Sequence, residues 1–173
     1  MAQHANPTGG QESSQNKRKV HGWLLDEGWQ IGEINAPGAT WVLNATDEGK
    51  RTIIIAQPMN RADMVVIEGA VKIPDEVRRH LGEMPQHERN QFYFDLQYSL
   101  LQMGVEYRNV GQPFELPGVV QRIYSDALRR DEFVQRVILV RNAVVMILLK
   151  TAALMSQPPV APAEPPPIGF RPS

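Results

Sequence analysis

His80, Glu83 and His87 stand at spacings of three and four, the interval at which side chains share one face of a helix, and would offer a metal ion three ligands. Pro85 falls inside that span and disturbs the alignment, because proline removes a backbone donor and clashes with the preceding turn. His87-Glu88 lacks the second histidine of a zinc-protease helix. Ser99 sits between Tyr98 and Leu100, without the glycine-flanked turn that exposes a hydrolase nucleophile. Ser125-Asp126 suits a turn or a cap. Three carboxylate pairs, Asp26-Glu27, Asp47-Glu48 and Asp131-Glu132, each fall at an expected helix end or hairpin tip, where local structure accounts for them. No glycine-rich phosphate loop is present: Gly28, Gly32 and Gly38 belong to a cap, a strand and a turn. The chain has no cysteine, which excludes a thiol nucleophile, a disulfide framework and a thiolate zinc site. These residues assign no catalytic group, no metal site and no cofactor.

The elements that would position any site come next. At 173 residues one domain is expected. A formal net charge of −1 leaves no basic field for nucleic acid or an acidic membrane surface, so neither is expected as a partner. Lys17-Arg18-Lys19 reads as a solvated helix start. The N-terminus carries no apolar segment of the kind a secretory signal needs. With the missing cysteine, this fits a cytoplasmic location.

Residues 1–16 are polar, with Gly9-Gly10 and Ser13-Ser14, and are expected to be a disordered tail. Residues 17–27 form an amphipathic helix with Val20, Trp23 and Leu24 on one side, closed by Gly28 at its C-terminal cap. Four strands follow: 29–34, 40–45, 52–57 and 64–73. Asn35-Ala36-Pro37-Gly38 and Asp47-Glu48-Gly49-Lys50 are the first two turns, and such short connections make the strands an antiparallel meander. The unbroken run Ile53-Ile54-Ile55-Ala56 predicts a central strand covered on both faces. Pro74 opens a helical stretch that Pro85 should break or kink near Met84; its second half runs from Gln86 to Met103 with Phe92, Leu96, Leu100 and Met103 inward, and ends at Gly104. Strands at 105–110 and 119–124 precede a long terminal helix.

That helix, Phe133 to Met155, is the core element. Phe133, Val137, Val140, Val144, Ile147, Thr151 and Leu154 recur at helical spacing and form its inner face. Val145, Met146, Leu148 and Leu149 fall outside that face and need other cover. Arg136, Arg141, Asn142 and Lys150 interrupt the apolar run, so no membrane span is expected. Residues 156–173 hold seven of the chain's fourteen prolines and read as a disordered, extended tail.

The fold class is therefore α+β: a single domain over 17–155, an antiparallel sheet with helices packed on it, in the order α-β-β-β-β-α-β-β-α. Trp23-Leu24-Leu25-Asp26-Glu27-Gly28-Trp29, Ile55-Ala56-Gln57-Pro58 and Ile123-Tyr124-Ser125-Asp126-Ala127-Leu128, followed by Phe133 and the apolar helix, resemble an uncharacterised prokaryotic domain family of unknown function. Its element order is similar to the type III secretion chaperone-like fold, in which helices pack on a curved antiparallel sheet. The resemblance implies a domain that dimerises and holds partner proteins, and it carries no functional residue onto this chain.

The function expected is that of a non-enzymatic protein-binding or adaptor domain, chaperone-like in character. The alternative is a small-molecule binder or enzyme with a dispersed site. Val145, Met146 and Leu149, with Trp29, are the candidate contacts for a protein partner or a second copy in a homodimer. Trp23 and Trp41 read as core anchors; Trp29 is left between core and surface.

Overall fold

A computed structural model describes residues 7–108 and 118–156. It is an α+β fold with a six-stranded antiparallel sheet and a long C-terminal helix. The elements are α1 (Pro7–Asp26), β1 (Gln30–Ile34), β2 (Ala39–Thr46), β3 (Thr52–Pro58), β4 (Met64–Ala70), α2 (Asp75–Glu83), α3 (Gln86–Gln102), β5 (Glu106–Arg108), β6 (Gly118–Tyr124), a 3-10 turn (Ser125–Ala127) and α4 (Arg130–Met155). The strand order is β1-β2-β3-β4-β6-β5. The expected proline-rich tail beyond Ser156, and the far end of the strand expected at 105–110, lie outside the described residues.

Pairing register sorts the strand residues onto two faces. Ile31, Ala45, Ile53, Gly69 and Val119 form one row, and Glu33, Leu43, Ile55 and Ile67 a second on the same face. The helices of the described residues gather on this side. Phe133, Val137, Val140, Ala143, Val144, Ile147, Thr151 and Leu154 of α4 are buried. That set contains every residue expected on the inner face. The helix comes closest at β4: a Cβ on Gly69 would lie 2.6 Å from Val144 Cγ2 and 3.0 Å from Val140 Cγ1. α1 lies beside α4, with the Trp23 ring 5.8 Å from that of Phe133. Leu96 and Leu100 of α3 join the main core, while Val77 and Leu81 of α2 form a smaller cluster with Leu154.

Three expectations are corrected. The first helix begins at Pro7, so residues 7–16 are helical. Its buried positions, Ser13, Asn16, Val20 and Leu24, continue one face across the expected boundary. The run Ile53–Ala56 is covered on one face only: Ile53 and Ile55 are buried, while Ile54 and Ala56 are half-buried on the side without helices. β4 stops at Ala70, which pairs with Gly118, instead of running to Ile73. The helical stretch breaks at Pro85, as expected, with Pro85 as the N-cap of α3.

Gly28 and Gly104 end α1 and α3 with φ of +80° and +69°, the left-handed geometry of a C-terminal cap. At the β2–β3 turn Asp47 accepts hydrogen bonds from the Arg51 amide at 3.0 Å and from Arg51 Nε at 2.8 Å, which accounts for the Asp47-Glu48 pair as turn chemistry.

Candidate functional site

The sequence-based metal trio is dispersed. His80 and Glu83 lie on α2 and His87 on α3, and the His87 side chain points to solvent beside Glu88 at 3.7 Å. Among the described residues no group of three or more His, Asp or Glu is arranged to hold a metal ion. Ser99 Oγ donates to the Asp95 carbonyl at 2.7 Å, a bond within its own helix. Asp26 and Glu27 both face Arg130, at 3.4 and 3.2 Å, and Glu132 pairs with Arg136 at 2.5 Å.

The most connected polar group lies where α1 crosses the sheet. Gln57, fully buried on β3, accepts from Ser13 Oγ at 2.5 Å and from Trp41 Nε1 at 2.7 Å, and donates to the Ala62 carbonyl. One turn along, Asn16 Nδ2 donates to Ser125 Oγ at 3.2 Å. Lys17 Nζ meets Glu33 at 2.7 Å, and that hydrogen bond and charge hold the Glu33 carboxyl below its ordinary range. These groups bind α1 to β1, β3 and the end of β6. The Ser13 hydroxyl is taken up in donating to Gln57 and that of Ser125 accepts from Asn16, and burial of neutral groups that satisfy one another, as Ser13, Trp41 and Gln57 do, is a positioning device. An open cavity of about 330 Å³ beside the β1–β2 turn is lined by Ile34, Asn35, Ala36, Pro37, Ala39, Thr40, Trp41 and Val42, none of them ionisable.

The candidate contacts separate. Trp29 is 7% exposed and belongs to the core, so it offers no contact surface. Trp41 is likewise buried, and Trp23 is half-buried against the core. Met146 is half-buried and packs on the core; Val145 is half-buried; Leu149 is 65% exposed. α4 is long and apolar enough to cross a membrane by composition, a test that the core helix of a globular domain also passes.

A surface that sequence reasoning missed lies on α3. Phe94, Tyr98 and Leu101 are 61%, 54% and 61% exposed. Their spacing of four and three puts them on one stripe, opposite the inward Leu96 and Leu100. The Phe94 and Tyr98 rings stack, with centroids 6.3 Å apart and planes 10° from parallel. Gln91 and Asp95 edge the stripe, joined by a 2.9 Å hydrogen bond. The signal in the sequence was the set of large apolar residues left over once Phe92, Leu96, Leu100 and Met103 had been turned inward.

Fold and surface together define a class: an α+β domain with its helices on one face of an antiparallel sheet and an apolar ridge on an outer helix. The chain belongs to the family described as "Uncharacterized conserved protein (DUF2299)", whose model matches residues 16–151. It is similar to the crystal structure of an uncharacterized protein from Methanothermobacter thermautotrophicus, with a TM-score of 0.74 at 19% sequence identity, over 80% of this chain and 97% of that one. Identity that low shows the fold alone. No curated protein matches the chain.

Proposed function

We propose that the chain is a non-enzymatic protein-binding or adaptor domain that engages its partner through the outer stripe of α3. The observation that carries this reading is the trio Phe94, Tyr98 and Leu101, large apolar side chains each more than half exposed on successive turns. Their i, i+4, i+7 spacing is the pattern with which one helix enters an apolar groove on another protein. Covering the exposed part of each would contribute roughly 1–2 kcal/mol, so the three together reach the scale of an interface hot spot. The ridge is convex, which favours a protein groove over a small molecule as its complement. The similarity of the element order to the secretion chaperone-like fold, whose members hold partner proteins, supports the reading by analogy.

The test is a photo-crosslinking amino acid at position 98 in the native host, with a control at Glu48 on the β2–β3 turn. The same protein adduct from 98, and none from 48, is expected. Adducts shared by both positions, or none from 98, would overturn the reading.

A further inference from the structure

We infer that β1 is a docking edge, which takes an extended peptide segment of a partner protein as a further strand of the six-stranded sheet. The sheet ends in β1 on one side and β5 on the other, and the two edges differ. β5 is three residues long, and both of its charged side chains are tied back over the sheet, Glu106 to Arg122 and Arg108 to Glu68 at 3.3 Å. Brevity and charge are the means by which a sheet blunts an edge. β1 is five residues long, and its one charge, Glu33, is turned to Lys17 at 2.7 Å. Among the described residues no strand lies on its outer side, and no turn or loop bonds to its main chain there. Ile34, at its end, is 41% exposed. A row of alternating N–H and C=O groups is matched by another extended backbone, which adds itself as a strand.

The cavity beside the β1–β2 turn indicates what that segment carries. β2 runs on at Ala39, Thr40 and Trp41 beyond its pairing with β1, while the chain of β1 turns away at Asn35. The space of about 330 Å³ at this end of the edge has no ionisable group in its lining. A peptide paired along Gln30–Ile34 would set one uncharged, apolar side chain into it; main-chain bonds would supply affinity and the cavity selectivity. Register speaks against a second copy of this chain as the occupant. In the two-fold antiparallel pairing that uses all five residues, Gln30 of one copy lies opposite Ile34 of the other, so the copy would bring a polar side chain to the cavity. The edge is also remote from the α3 stripe, because α3 packs beside β5 at the opposite side of the sheet.

The test is selection of a random heptapeptide phage library on the full chain, followed by synthesis of the peptides selected. These should be rich in β-branched residues and share one apolar position. With such a peptide bound, amides of Gln30–Ile34 should exchange with solvent roughly tenfold more slowly or better, while those of α3 keep their rates. Ile34→Lys puts a charge on the edge at an exposed position and should weaken peptide binding about tenfold or more, with circular dichroism unchanged. Phe94→Ser on α3 should leave peptide binding as it is, which keeps this test separate from that of the α3 stripe. A selection that yields no binder, binders that protect α3 in place of β1, or binding indifferent to Ile34→Lys overturns the inference. So does a wild type that sediments as a dimer which Ile34→Lys abolishes, since the edge would then belong to a second copy.

Discussion

Ser13 and Asn16 on α1 are 5% and 4% exposed, whereas Phe94 and Leu101 on α3 are each 61% exposed. Two helices of one small domain thus bury polar residues and display apolar ones. On α1 the burial stands because each polar group meets a partner: Ser13 reaches Gln57, and Asn16 reaches Ser125. Polar residues with low helix preference, in a segment of low hydropathy, are held by specific bonds where area burial would fail. On α3 the apolar stripe has no such role within the chain, since Leu96 and Leu100 already join that helix to the core. The difference teaches that hydropathy predicts burial only where hydrophobic area does the anchoring.

Three substitutions can break or sharpen that contrast. Gln57→Leu keeps the side chain's bulk but leaves the Trp41 N–H and the Ser13 hydroxyl without an acceptor, and should destabilise the fold by about 2–3 kcal/mol in urea unfolding. A loss within error would mean that α1 is held by shape alone. Ser13→Ala removes one neutral bond and should lose about 1 kcal/mol. Amides of α1 before Lys17 should then exchange with solvent sooner, while those of α4 keep their protection. Uniform acceleration would show that the two helices open together. Phe94→Ser should change stability by no more than about 0.5 kcal/mol in the same unfolding experiment, although it removes an aromatic ring. A loss of 2 kcal/mol or more would place the ring in the fold's own packing and erase the contrast.

Much of the fold was legible because its signals are periodic. The inner face of α4 from Phe133 to Leu154, the four-strand meander, and the caps at Gly28 and Gly104 each follow from spacing or from one residue type. What was not legible depends on contacts remote in sequence. Ser13 lies 44 residues from Gln57 and Asn16 lies 109 from Ser125, so no local pattern marks residues 7–16 as helix. Ile54 looked doubly covered because a run of isoleucines is the same whether one face or both are packed. Trp29 was ambiguous because a residue at a helix–strand junction belongs to neither period. The α3 stripe was hidden because two apolar faces on one helix blur the amphipathic signal that either alone would give.

Ala70 pairs with Gly118, and between them the chain passes through α2, α3 and the edge strand β5. The first four strands close through short local turns, each on the microsecond scale of hairpin formation. Joining β6 to β4 instead requires closing an excursion of about 50 residues, an entropic toll that grows with the logarithm of its length. α4 spans both strands and follows them in the chain, so it docks only after that closure. During synthesis the inner face of β4, at Ile67 and Gly69, therefore lacks its cover until α4 has emerged, an interval in which apolar surface invites association. Pulse-labelling during refolding should protect amides of β2 and β3 before those of β6 and α4.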